Sequence, residues 1–184
     1  MSQTPPWERL NRAAGELSQL QPACNGSVHP TAVVEGVLEL GEGSCIKAGT
    51  VIEGFVRIGK RCTIGPNAYL RGTCSVGDDC IIGHAVEVKS SLIGNRVAIS
   101  HLSYIGDSVL EDDINVGGGC IFSNFRHDAE EIRMLWEGEL TPTGRNKLGA
   151  YVGSGARIGC NTTILPGRTI PPGACTYPGK VIES

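Results

Sequence analysis

Aromatic residues are scarce, only 5% of this 184-residue chain. A globule of that size normally fills its centre with rings and leucines, so a thick conventional core is excluded. Long runs of one charge are also missing: net charge is −3, with 19% charged residues. That excludes a protein that holds nucleic acid mainly through phosphate contacts. No stretch of about 18 apolar residues exists, which excludes a membrane-spanning helix. Residues 1–20 mix charge with proline and lack the apolar core of a signal peptide, so no membrane partner and a cytoplasmic address are expected. Eight cysteines are present, but none stand in CxxC spacing. Neither a disulfide framework nor a metal role is expected of them.

What is abundant is glycine, 26 residues, together with a repeat. Every sixth residue from Val28 is aliphatic: Val28, Val34, Leu40, Ile46, Ile52, Ile58, Ile64, Leu70, Val76, Ile82 and Val88. Four places after most of them stands a small or slim residue, such as Ala32, Ser44, Thr50, Cys62, Ala68, Cys74 or Cys80, with Leu38 the large exception. After one-residue deletions the period runs on through Ile93, Ile99, Ile105, Leu110, Val116 and Phe122. It breaks, and returns at Val152, Ile158, Ile164 and Ile170. A helix needs a period of 3.6 and a simple sheet a period of 2. A period of six fits a three-sided coil of about 18 residues per turn, the hexapeptide form of a parallel β-helix. The expected fold is therefore all-β: a left-handed parallel β-helix of hexapeptide repeats, with a short N-terminal α-helix and one projecting loop.

Coils stack about 4.8 Å apart, so residues 18 apart, or 17 across a deletion, lie in one column. The rule places Cys62, Cys74, Cys80 and Cys120 at the slim inward position, where a thiol acts as a small hydrophobe. Outside the repeat, Thr4-Pro5-Pro6 followed by Trp7, Leu10, Ala14, Leu17 and Leu20 reads as an amphipathic helix. It is expected to close the open end of the coil, since an uncovered end is an aggregation template. The domain limits that follow are a capping helix and linker over 1–27 and the β-helix over 28–184. A loop insertion over 124–147 carries Arg126, His127, Asp128, Trp136 and Gly138.

A prism filled by its own side chains must place chemistry on its outer sides or between subunits. Arg71 and Lys89 lie 18 apart and share a column. Stacked cations repel unless an anion lies between them, which points to a phosphate site; two solvated cations with Glu87 nearby is the plain alternative. Ser90, Asp107 and Asn124 form the next column. His101 and Tyr104 follow in Ser100-His101-Leu102-Ser103-Tyr104, and Asn115 leads into Val116-Gly117-Gly118-Gly119, whose bare N–H groups suit an oxyanion. A neutral histidine, an anion site and free N–H groups together describe acyl transfer by direct attack, since no serine or cysteine elbow is evident. His84 stands 17 before His101, so a zinc pair completed by a neighbouring subunit is a rival reading, and an inert surface histidine is another.

The stretches Ile64-Gly65-Pro66-Asn67-Ala68-Tyr69-Leu70-Arg71, Val86-Glu87-Val88-Lys89 and His101-Leu102-Ser103-Tyr104-Ile105-Gly106-Asp107 resemble a known family, the acetyltransferase domain of bifunctional N-acetylglucosamine-1-phosphate uridylyltransferases. The run Thr143-Gly144-Arg145-Asn146-Lys147-Leu148-Gly149 is closer to the archaeal-type sugar-1-phosphate nucleotidylyltransferase/acetyltransferases. The resemblance implies an acetyl-CoA-dependent N-acetyltransferase acting on glucosamine-1-phosphate or galactosamine-1-phosphate. It implies His101 as general base, Gly118 at the oxyanion, and Asn124, Tyr104 and Asn115 around the sugar. Arg71 and Lys89 would hold its phosphate, and Gly153, Ser154 and Arg168 would lie along the CoA. It also implies a homotrimer. The family's nucleotidyltransferase domain has no counterpart in this sequence, which points to a separate protein for any UTP-dependent step, and the sequence stops before the family's CoA-contacting tail. Gly118 stands where bacterial members carry alanine, and Phe125 where they carry tyrosine. Two other functions fit the repeat: a non-catalytic scaffold or regulatory subunit, and a metal-dependent trimeric hydratase resembling γ-class carbonic anhydrases.

Overall fold

The computed structural model describes residues 4–183; the terminal residues 1–3 and 184 of the domain limits above lie outside them. The period of six becomes a parallel β-helix. A seven-stranded sheet forms one side, and a thirteen-stranded sheet wraps around the other two. Strands Val33–Leu40, Val51–Ile58 and Tyr69–Val76 turn the corner between those two sides at Gly36, Gly54 and Gly72, which stack in register. A Cβ on Gly36 would fall 2.1 Å from the Gly54 oxygen, so only glycine lets the coils close at this corner. We call the seven-stranded side, which carries Ala98–His101, the first. The second carries Tyr104–Gly106, and the third carries Val109–Leu110.

The register follows the column rule. Val33 stacks on Val51, 18 residues on, and Leu92 on Ser75, 17 residues on. His84 pairs with His101, and Arg71 with Lys89. The repeat's aliphatic residues line the interior, from Leu40 through Phe122 to Ile170, each no more than 4% exposed. Each such side chain stabilises the fold by about 1.5–3 kcal/mol. Cys62, Cys74, Cys80 and Cys120 sit among them as slim fillers, and burial pushes the Cys74 thiol up to about 11.

The helix is α1, Pro6–Leu17, and it does not close the end of the coil. It lies along the outside of the third side, where Trp7 and Leu10 pack with Val109, Tyr151 and Leu92. The reason is local. The third side presents apolar residues outward at Leu92, Val109 and Tyr151, which receive Trp7 and Leu10, while the rest of the helix runs across Tyr69–Val76 and Val51–Ile58. An apolar helix edge seeks the apolar patch. Val28 and Val34, at the uncovered first coil, remain 38% and 41% exposed. Pairing into the coil begins at Ala23–Cys24, inside the segment expected to be linker.

The insertion folds rather than projects. Stacked partners Val109 and Tyr151 are 42 residues apart, against 17 in the coil before. The excess forms an antiparallel hairpin, Arg133–Trp136 with Glu139–Pro142. It closes over α1: Ile132, Met134 and Leu148 are buried, and the Trp136 ring meets Trp7 and Tyr151 edge-on at 6.3 and 5.1 Å. Helix and hairpin thus cover the third side, leaving the first and second bare.

Candidate functional site

A polar cluster occupies the second side. Arg71 and Lys89 are stacked neighbours, but each turns to its own carboxylate. Arg71 Nε donates to Glu87 Oε1 at 2.7 Å, and Lys89 Nζ to Asp107 Oδ2 at 2.6 Å. The repulsion expected between two cations is therefore relieved within the protein. The Glu87 carboxylate also holds the Arg71 guanidinium firmly protonated. Its stacking neighbour Tyr69 places a ring 5.6 Å from the guanidinium carbon, so Arg71 is gripped from two directions.

Asp107 is the hub. Its side chain is only 5% exposed and accepts from Lys89, from the Asn124 amide and, at 3.4 Å, from Arg145. Arg145 reaches across from the end of the insertion and also donates to Asn11 of α1 at 2.6 Å. The cluster thus gathers three cations, Arg71, Lys89 and Arg145, with three carboxylates, Glu87, Asp107 and Glu53, the last stacked beside Arg71 and bound by the Tyr69 hydroxyl. The three cations offer charged donors to an anion.

Tyr104 leans along its strand over Gly106, where a Cβ would come within 2.5 Å of the phenol oxygen. Glycine there leaves room for the ring, whose hydroxyl lies toward Asn124. Burial first, then Glu87 and Asp107, raises the Tyr104 phenol, so it stays a neutral donor near pH 7.

His101 ends its strand on the first side, one corner from Tyr104. The turn runs through Leu102 in the left-handed region, φ 47°, and leaves the imidazole exposed. Directly above stands Gly118; a Cβ there would lie 3.3 Å from the His101 Cβ. The N–H groups of Gly117 and Gly119 go to the Ile158 and His101 oxygens, and that of Gly118 has no acceptor among the described residues. The result is a notch above the histidine with one free N–H group.

The remaining predicted residues are more dispersed. Asn115 begins the first side, three residues or about 10 Å of strand from Gly118. Gly153 and Ser154 sit at the corner between the third and first sides, where a groove of about 440 Å³ brings Ser154 beside Arg9 and Arg12. Arg168 is elsewhere, against the hairpin residues Leu135 and Leu140, with its guanidinium on the Glu183 and Pro166 carbonyls. The structure therefore brings Arg71, Lys89, Tyr104 and Asn124 together. It sets His101 with Gly118 around one corner, and it separates Arg168 from Ser154.

Residues 55–90 match the six-repeat model of the bacterial transferase hexapeptide family. The chain is a hexapeptide-repeat β-helix. Over 179 residues, 97% of its length, it is 42% identical to a bifunctional sugar-1-phosphate nucleotidylyltransferase/acetyltransferase of Sulfurisphaera tokodaii, and spans 45% of that relative. Over 97 residues, 53% of its length, it is 35% identical to the bifunctional protein GlmU of Bacillus cereus, spanning 17% of it. The resemblance carried by the motifs thus extends over the whole chain, which covers less than half of the longer relative. A solved structure, a mutant GDP-perosamine N-acetyl transferase of Caulobacter crescentus with CoA and GDP-perosamine, aligns at a TM-score of 0.30 and 20% identity, over 94% of this chain and 63% of that one.

In this hexapeptide-repeat β-helix, sequence reasoning set Glu87 near the two cations only in the plain alternative, and gave no role to Asp107 or Arg145. Two of these three had a signal. Glu87 stacks between Tyr69 and Tyr104, and Asp107 between Ser90 and Asn124, all at the coil spacing. Arg145 lies outside the repeat and follows from no spacing.

Proposed function

We propose that this chain is an acyltransferase that moves the acetyl group of acetyl-CoA to the amine of an amino-sugar phosphate, glucosamine-1-phosphate or galactosamine-1-phosphate. The observation that carries the reading is the placement of an open histidine and a free N–H notch one corner from a cluster that brings three cations together. The 42% identity to a sugar-1-phosphate acetyltransferase supports the same reading.

The phosphate sits against Arg71 and Lys89, with Asp107 holding Lys89 in place, and the sugar lies toward Tyr104 and Asn124. The amine attacks the thioester carbonyl. Its proton passes to the His101 imidazole, acting as general base. The C–N bond forms while the carbonyl oxygen takes negative charge, and the Gly118 N–H donates to it; a single such donor contributes about 2.7–4 kcal/mol. Collapse breaks the C–S bond, and the imidazolium returns its proton to the leaving thiolate. No covalent enzyme intermediate is needed. Three subunits pack around the His101 corner, whose exposed apolar residues Leu102 and Ile121 would otherwise face water.

The test is release of free CoA thiol from acetyl-CoA with glucosamine-1-phosphate, galactosamine-1-phosphate or UDP-glucosamine as acceptor. Release with a sugar 1-phosphate, lost by at least about a hundredfold in His101→Ala, is expected of a general base. Release that survives the substitution removes the histidine from the mechanism. No release with any acceptor favours a scaffold that keeps the shape of an enzyme.

A further inference from the structure

The groove at the Ser154 corner holds a cation with no firm partner. Arg9, Arg12, Glu111, Tyr151 and Ser154 line it, between α1 and the solenoid. Arg9 is bound to Glu111, and Glu111 also faces the Tyr151 hydroxyl. The charges of Arg9 and Glu111 therefore offset each other. Among the described residues Arg12, one turn further along the same helix edge, meets only Glu16, at 3.9 Å, and both side chains are 65% exposed. An exposed pair of that kind contributes next to nothing. The groove is thus polar, and its lining brings the weakly paired Arg12 guanidinium together with Ser154.

Position adds to this. From Ser154 the first side runs through Arg157–Ile158 to Cys160, whose backbone stacks above Gly118, itself above His101. That path is six residues, about 20 Å of extended backbone. A ligand anchored in the groove and reacting at His101 must be long, with its negative charge at one end and its reacting group at the other. A coenzyme A thioester has that form. The helix is also a rigid mount: Trp7 and Leu10 are buried, and Asn11 is fixed by Arg145 from the sugar-phosphate cluster.

We infer that Arg12 of α1, across the groove from Ser154, binds the phosphorylated nucleotide end of the acyl donor. This rests on the acetyl-CoA reading above. It gives α1 a part in donor recognition, through a guanidinium that can fork two phosphate oxygens.

The experiment is calorimetric titration of the full chain with CoA, comparing wild type, Arg12→Ala and Arg12→Lys, with glucosamine-1-phosphate titrated in parallel. Loss of a charged hydrogen bond to phosphate lowers affinity about tenfold or more, so Arg12→Ala is expected to bind CoA at least tenfold more weakly. Arg12→Lys recovers part of the loss, and sugar-phosphate affinity stays as in wild type. Arg12 is exposed, so the thermal melt is expected to be unchanged. Wild-type affinity for CoA in Arg12→Ala overturns the inference and leaves the acetyltransferase reading intact. Failure of the wild-type protein to bind CoA overturns that reading, and the inference with it.

Discussion

Asp107 shows how much one buried carboxylate can organise. It balances Lys89 and Arg145, whose side chains are 18% and 23% exposed, and it anchors the Asn124 amide. Removing it leaves two cations facing each other. Asp107→Ala is expected to cost about 3 kcal/mol, the low end for breaking a buried pair because both cations still touch water. Urea denaturation measures it, and a loss below about 1 kcal/mol means that the pairs contribute as weakly as surface ones. Columns could be read from the sequence; pairings could not. Spacing put Arg71 over Lys89 and Asp107 beside them. It could not show that each cation would turn to a carboxylate on the neighbouring column, because rotamer choice leaves no periodic trace.

At the scale of elements, the turn between the third and first sides is held by a side-chain ladder. Asp78, Asn95 and Asp112 each accept, through Oδ1, the backbone N–H of the coil below, from Lys60, Asp78 and Asn95 at 2.7, 2.8 and 2.8 Å. The N–H of Asn95, followed by its side-chain amide and Arg96, holds the Asp112 carboxyl below the ordinary aspartate range. A depressed native pKa stabilises the fold above the unfolded value of about 3.9, and that stability is lost as pH falls through the native value. Asn95 already does the same task with an amide. Asp112→Asn is therefore expected to keep the rung while removing its titration. Thermal melts from pH 6 to pH 3 test this: the deficit of the variant relative to wild type should narrow on acidification, and a constant deficit rules the linkage out. The strands and corners of the coil are legible in the six-residue period itself. That period says nothing of where α1 or the hairpin lies. Their places are set by one outward patch, Leu92, Val109 and Tyr151, in columns where the repeat marks only the inward residues.

For the whole molecule, the coverage of its sides decides what is left for a partner. α1 and the hairpin occupy the third side, so association must use the first and second. Those two meet at the His101 corner, where Leu102 is 62% exposed and Ile121, stacked on Tyr104, 40%. A cyclic trimer buries one such corner in each interface, and a contact core of this kind is apolar with few charges. Light scattering is expected to give three times the 19.4 kDa chain mass. Leu102 contributes nothing to the interior, and its φ of 47° suits aspartate better than leucine. Leu102→Asp should therefore leave the circular dichroism spectrum unchanged while placing a charge in each contact. The expected result is a folded single chain that transfers little acetyl group, with His101 intact. A trimeric Leu102→Asp moves the interface away from this corner. A wild-type protein that runs as a single chain requires the site to be complete within one prism, with Asn115 and His101 serving from opposite ends of the same bare side.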